Sequence, residues 1–335
     1  HINSDIYCIG IYDPKGDYTV DAIYQKIKAR LKRPFFMSDG SEISITVSVG
    51  AAAYPEAAKD ALELINCAEI VMFRGKALGK NTIQYFDTPI INDFLQNVHL
   101  DKELKYAVAN NGFVLRYQPQ FYAGTKELRG VEALLRWKDT GKSSLIGPGE
   151  FIPMAEKNGT IIPIGKWVIE ESIRQCAEWQ EKYKKKIVMS INVSAIQYMK
   201  VDFVEHLISV INKYGVEPQS IELEVTESVL INGFDVVSNK LRELREYGVR
   251  VSIDDFGTGY SSFSYLTKIP INTLKIDKSF IANISENKND AYIAGTIINL
   301  AHQLGITVIA EGVETIEQLR ILQSQMCDIL QGYFF

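Results

Sequence analysis

The chain has 335 residues, more than one average domain of roughly 100 to 200 residues holds, and enough for two domains or one barrel-sized domain and part of another. Hydrophobic residues make up 46% and charged residues 23%, with only 10 prolines, which excludes a globally disordered chain. The balance of 36 basic against 41 acidic residues, a formal charge of -5, lacks the Lys and Arg excess that duplex nucleic-acid binding requires, so no duplex partner is expected.

The cysteines, Cys8, Cys67, Cys176 and Cys327, lie far apart without a C-x-x-C pair or a His at zinc spacing, which argues against a disulfide framework and a zinc site. No run approaches about 18 consecutive apolar residues, and His1-Ile2-Asn3-Ser4-Asp5 shows neither a basic targeting region nor an initiating Met. The expectation is a cytoplasmic chain, the inner part of something larger that is either soluble or membrane-anchored.

In chain order, residues 1–86 read as a small α/β unit. Ser44-Ile45-Thr46-Val47-Ser48-Val49-Gly50 has strand composition, Pro55 breaks it, a helical pattern runs from Ala57 to about Lys76, and Gly79 ends that helix. A strand over Thr82-Ile83-Gln84-Tyr85-Phe86 leads into a linker at 87–95 and a helix from Asn92 to Asn110, with the second domain spanning 96–335. From Phe113 apolar strands alternate with amphipathic helices. The predicted strands are Gly130 to Leu135, Ile187 to Asn192, Ile221 to Val225, Val249 to Ile253, Thr273 to Ile276, Thr307 to Ala310 and Asp328 to Leu330. Such alternation argues for a parallel sheet covered by helices, and its extent suits a (β/α)8 TIM-like barrel, with a doubly wound open sheet as the structural rival.

Each of these strands carries a polar side chain at or near its carboxyl end: Glu132, Asn192, Glu224, Asp254-Asp255, Lys275, Glu311 and Gln331. In a parallel barrel those ends share one face, where such barrels build active sites. Carboxylates and an amide, without His or Cys, are hard oxygen donors suited to Mg²⁺ or Mn²⁺. Adjacent Asp254 and Asp255 reach one site only if the backbone turns at the strand end, as ligands shared between two metals would require. Lys275 is expected to stay protonated beside the carboxylates and to orient water or phosphate. Gly257-Thr258-Gly259-Tyr260 lacks the third glycine of a dinucleotide loop and reads as a mobile loop over the site. The lysines at 182 and 184–186 read as a solvated helix end, and His206 and His302 as packing residues.

The motifs Glu132-Ala133-Leu134 with Arg136-Trp137, Glu224-Val225-Thr226-Glu227-Ser228, Asp254-Asp255-Phe256-Gly257-Thr258-Gly259-Tyr260-Ser261-Ser262, Leu274-Lys275-Ile276-Asp277, Ala310-Glu311-Gly312-Val313-Glu314-Thr315 and Gln331-Gly332-Tyr333 resemble the EAL family, which hydrolyses cyclic di-GMP to a linear dinucleotide. The resemblance implies that Glu132, Asn192, Glu224 and Asp254 hold a first metal, Asp254 being shared with Asp255 on a second, with Glu311 in the metal and lysine network. Lys275 matches the lysine that positions water, Glu227 the anchor of the Asp-Asp-Phe-Gly loop, Arg136 an arginine that meets a substrate phosphate, and Gln118, Glu314 and Gln331 further pocket residues. Asn272 stands where that family usually has Asp.

Ser48-Val49-Gly50, Ala68-Glu69-Ile70-Val71-Met72-Phe73 and Gly75-Lys76-Ala77-Leu78-Gly79-Lys80-Asn81 are similar to the second half of a GGDEF domain, the nucleotidyl-cyclase-type fold that makes cyclic di-GMP. At the signature position stands Asn3-Ser4-Asp5-Ile6-Tyr7, without the glycine pair and metal-binding glutamate, so synthase activity is not expected. Lys76 and Lys80 match phosphate-facing positions, which implies GTP binding and regulation of the barrel as one reading and solvated lysines as the other. The resemblance also implies a homodimer through the barrel and an upstream sensory region. A receptor that binds the dinucleotide without cleaving it, and a Mg²⁺-dependent lyase of the enolase type, are the rivals to hydrolysis.

Overall fold

The computed structural model describes residues 1–2, 5–12, 19–87, 100–138, 145–257 and 269–335, with backbone alone at 77 and 227–235. The chain divides into two compact units, His1–Lys102 and Glu103–Phe335. Parts of the expected linker and first barrel helix, 88–99, of the signature at residues 3 and 4, and of the glycine loop beyond Gly257 lie outside the described residues.

In the first unit, helix Val20–Leu31 is N-capped by Thr19, and β1 (Phe35–Phe36) pairs antiparallel with β2 (Glu42–Ile43). β3 (Val49–Ala51) pairs parallel with β4 (Ile83–Tyr85), and helix Ala61–Ala77 connects them. The helix begins at Ala61 rather than Ala57 because Asp60 accepts a capping hydrogen bond from the Glu63 N–H. Gly50 lets that helix lie directly on β3: a Cβ there would fall 1.9 Å from the Ala68 carbonyl oxygen.

A helix over 100–109 spans the division between the units, and the second unit continues as a closed eight-stranded barrel. Its strands are β5 (Phe113–Tyr122), β6 (Leu128–Lys138), β8 (Val188–Asn192), β9 (Ile221–Thr226), β10 (Arg250–Phe256), β11 (Thr273–Ile276), β12 (Thr307–Ala310) and β13 (Ile329–Gln331), with the short β7 (Leu145–Ile146) added to β6. From β6 to β13 the pairings are parallel, and β5 closes the circle antiparallel to both β6 and β13. The strands predicted from Gly130 onward pair in parallel as expected, and β5, outside that prediction, is the antiparallel member of the barrel. The reason is the connection: Tyr122 and Leu128 bracket only a turn, and a parallel crossover needs a dozen or more residues.

Each barrel strand alternates. On β9, Ile221, Leu223 and Val225 are buried against the helix layer, while Glu222 and Glu224 point into the barrel. Helix Ile161–Tyr183 covers the outside with Ile161, Ile164, Val168, Ile169, Ile173 and Cys176, the three-and-four spacing of one helical face. Burial pushes the Cys176 thiol up to about 12, leaving it an inert packing residue. The barrel interior, in contrast, is lined by polar side chains, most of them hydrogen-bonded to one another.

Candidate active site

Strand register brings the acidic residues to one level. Gln118 pairs with Glu132 across β5 and β6, Glu132 with Ser190, Asn192 with Glu224, and Lys275 lies beside Ile309 of β12. Beyond the end of β12, Glu311 continues the ladder by donating its backbone N–H to the Ile276 carbonyl. The loop after Asn192 is fixed by a capping box between Ser194 and Gln197, with Ser194 Oγ also donating to Glu156 at 2.5 Å.

At the centre is Lys275, its side chain 1% exposed. Its Nζ lies 2.6 Å from Glu311 Oε1, 2.8 Å from Glu224 Oε2, 3.1 Å from Asp254 Oδ1 and 3.3 Å from Glu132 Oε2. Burial alone would lower the pKa of this ammonium, but Glu132, Glu224, Glu311 and Asp254 together hold it well above its usual value, so it stays charged as expected. Glu132 also accepts hydrogen bonds from Asn192 Nδ2 at 2.6 Å and Gln331 Nε2 at 2.6 Å. Burial opposes its charge, yet Lys275 and these amides hold its pKa below the ordinary value. Glu224 is raised well above the usual range by burial and by Glu132, and Glu311 is pushed up to about 7 by burial, with Asp254 and Glu132 adding to it against Lys275.

Asp255 shows how two adjacent carboxylates serve one region. Its φ is +55°, in the left-handed region, and the β10–β11 register shifts between Ile253 and Phe256. Its N–H donates to Asp254 Oδ1 at 3.0 Å. This is the backbone turn that the sequence required. Left-handed geometry costs a non-glycine residue roughly 1–2 kcal/mol, and such strain is characteristic of functional positions.

The donor set fits a divalent cation of the Mg²⁺ or Mn²⁺ kind. Glu224 Oε1 is buried without a hydrogen-bond partner, and four carboxylates surround the Lys275 ammonium. Among the described residues no three acidic, histidine or cysteine side chains form a ready-made metal cage, because Lys275 Nζ holds the centre of the cluster. The residues able to hold a cation are Glu132, Asn192, Glu224, Asp254, Asp255 and Glu311, all oxygen donors.

The other sequence-predicted residues are placed as follows. Gln331 is buried and bridges Glu132 and Gln118, donating to Gln118 Oε1 at 3.1 Å. Arg136, at the upper end of β6, donates to the Leu135 carbonyl, and Glu314 is exposed on the loop before helix Ile316–Ser324. The Glu227 side chain lies outside the described residues. Asn272 has a structural part, its Oδ1 accepting from the Val251 N–H at 3.1 Å. His302 pairs with Asp328 at 2.8 Å, away from the cluster in sequence and in its partners. In the first unit, Lys76 contacts Asp5 at 3.4 Å and Lys80 is exposed. Sequence reasoning missed Gln120, Arg129 and Glu222, a buried polar layer beneath the acidic cluster. Counting two residues back from Glu224 and two on from Gln118 along a strand would have found Glu222 and Gln120.

Fold and site together define a closed barrel whose mouth carries an oxygen-only acidic centre built around one buried lysine, the layout of a divalent-metal site. A family model of the EAL domain matches residues 101–335, and the chain belongs to the EAL domain family. The signaling protein YkoW of Bacillus subtilis is 41% identical over 320 residues, covering 96% of this chain and 40% of that protein. The cyclic di-GMP phosphodiesterase NbdA of Pseudomonas aeruginosa is 34% identical over 331 residues, covering 99% of this chain and 42% of NbdA. The chain thus spans less than half the length of these curated relatives. Among solved structures, the Pseudomonas aeruginosa phosphodiesterase PaMucR in complex with c-di-GMP is 39% identical, with a TM-score of 0.67 over 70% of this chain and 95% of that chain.

Proposed function

We propose that this chain hydrolyses cyclic di-GMP to the linear dinucleotide pGpG, with two Mg²⁺ or Mn²⁺ ions held by Glu132, Asn192, Glu224, Asp254, Asp255 and Glu311. The observation that carries the reading is the buried Lys275 ringed by four carboxylates at the mouth of the barrel. The relatives named as cyclic di-GMP phosphodiesterases support the substrate. When bound, divalent cations supply Lewis acidity that lowers the pKa of water and offsets charge on the phosphate.

The chain's own groups divide the remaining work. Water attacks one phosphorus, the bond to the ribose 3′-oxygen breaks, and the proton lost by the water ends on that oxygen. Lys275, held protonated, is no base; it donates hydrogen bonds that orient the water or a phosphoryl oxygen. Lys275, with Gln331 and Asn192, keeps Glu132 ionised, and the two amides aim it as a ligand. Arg136 meets a phosphate oxygen, and Gln118 and Glu314 line the nucleotide pocket. Purified chain with Mg²⁺ or Mn²⁺ should convert cyclic di-GMP to the linear form, and Glu132→Gln should abolish conversion. Tight binding by the wild-type chain without turnover would replace the enzyme by a receptor.

The segment 1–86, joined by the linker at 87–95 to the barrel of 96–335, is a partial, degenerate GGDEF-like domain and regulates the barrel. The close fit of helix Ala61–Ala77 on β3 through Gly50 supports the likeness. GTP would be met by Lys76 and Lys80, and the barrels would pair as a homodimer in the cytoplasm. Hydrolysis rates indifferent to GTP in the full-length protein would end the GTP reading.

A further inference from the structure

Beneath the acidic cluster lies a second buried layer that the proposed chemistry does not use. Its charged members are Arg129 and Glu222, with side chains 1% and 0% exposed and Arg129 Nη2 at 2.8 Å from Glu222. Glu222 is held from its other sides by Thr273 Oγ1 at 2.7 Å and Ser190 Oγ at 3.1 Å. Arg129 reaches the interior through an irregularity: Gln120 pairs with Gly130 and Phe121 with Leu128, so Arg129 is the extra residue of a bulge that turns its side chain inward. Gly130 permits this local crowding, since a Cβ there would fall 2.1 Å from the Val188 carbonyl oxygen.

A chain of hydrogen bonds leads from this pair to the metal-ligand candidate Glu132. Arg129 Nη1 donates to Gln120 Oε1 at 2.5 Å, Gln120 Nε2 to Gln331 Oε1 at 2.9 Å, and Gln331 Nε2 to Glu132 Oε2 at 2.6 Å. Its direction is dictated by chemistry. A guanidinium has donors and no acceptor, so Gln120 must present its oxygen to Arg129 and its amino group to Gln331. Gln331 must then accept with its oxygen, which leaves its amino group for Glu132 and Gln118. The ionised Glu132 carboxylate, an acceptor only, demands the same polarity from the other end, so arginine and carboxylate reinforce one arrangement, and without the arginine Gln120 loses the donor that pins its oxygen.

We propose that Arg129 is a positioning residue for Glu132, anchoring the far end of the Gln120–Gln331 relay so that its amides hold this carboxylate in place to receive a divalent cation. The proposal rests on the metal-centre reading above. It assigns Arg129 to the site although Glu222, not a catalytic group, is its ionic partner. Partners of ligands that act at one remove commonly change metal affinity by roughly 10- to 100-fold when removed.

The competing account is that Arg129 and Glu222 merely satisfy each other. Two variants separate them. Replacing both members of a buried ion pair by apolar groups leaves no unpaired charge, so Arg129→Met/Glu222→Leu should recover the thermal stability that Arg129→Met alone loses. Gln120→Leu cuts the relay and leaves the ion pair intact. Mn²⁺ binding to the full chain is titrated by electron paramagnetic resonance, alongside melting temperature and hydrolysis of cyclic di-GMP. The relay predicts that Gln120→Leu and the double variant bind Mn²⁺ about 10- to 100-fold more weakly than wild type, and that raising Mn²⁺ restores most of their turnover. Wild-type Mn²⁺ affinity in both folded variants overturns the relay; if the wild-type chain hydrolyses cyclic di-GMP in the same experiment, the proposed function stands without it. Failure of the wild-type chain to bind Mn²⁺ overturns both.

Discussion

Lys275→Met removes the ammonium at the centre of the cluster. At an effective dielectric of about 20, each of its contacts near 3 Å carries roughly 5–6 kcal/mol of gross attraction, against which stands the cost of burying the ammonium. Breaking a buried pair by deleting one partner costs a net ~3–5 kcal/mol, and that is the loss expected for metal-free protein near neutral pH. The loss is bounded because the carboxylates left behind can take up protons. Glu224 already has a raised pKa and Glu311 is at about 7, above its ordinary 4.5. A carboxylate raised in the folded state contributes stability below its unfolded pKa and loses it as pH rises through the folded one, so the variant should weaken further between about pH 6 and about pH 8. Urea unfolding in EDTA, followed by circular dichroism at both pH values, reads this directly. A variant as stable as wild type at both would refute the view that Lys275 neutralises the cluster.

Asp255→Gly should relieve the left-handed strain at φ +55° and raise stability by about 1 kcal/mol in a melting experiment, while hydrolysis falls by at least ~100-fold if Asp255 is a ligand. Divalent-metal binding should release protons and raise the melting temperature more at about pH 8 than at about pH 6, because Glu311, at about 7, must be deprotonated to coordinate; equal shifts would contradict its place in the site. Leu207→Ala, at a wholly buried position on helix Phe203–Tyr214, should cost about 3–5 kcal/mol by denaturant titration and leave Mn²⁺ affinity unchanged.

Glu132, Asn192, Glu224, Asp254, Lys275, Glu311 and Gln331 were legible because strand ends in a barrel share a face, and the structure joins all of them by hydrogen bonds or ion pairs around Lys275. β5 was harder to read. Alternation is the same in either direction along a strand, and Pro119 within Phe113–Tyr122 argues against a central strand. The structure accommodates that proline because β13 pairs only with Gln120, Phe121 and Tyr122. Glu222 follows from period two once Glu224 is placed. Arg129 does not, because the bulge that turns it inward reverses the parity counted from Glu132, and its one local mark, Gly130 inside the strand, does not say which neighbour turns in. The strand-like run from Ser44 shrinks to Val49–Ala51, where β4 supplies a parallel partner.

The central claim is that the cluster around Lys275 makes this chain a metal-dependent phosphodiesterase. The most direct measurement is turnover of cyclic di-GMP by purified chain stripped with EDTA, before and after Mg²⁺ or Mn²⁺ is restored. No turnover is expected in EDTA, pGpG should appear on adding either ion, and Lys275→Met should give none under the same conditions. Metal-saturated wild-type protein that leaves cyclic di-GMP intact, or hydrolysis that persists in EDTA, would contradict that claim.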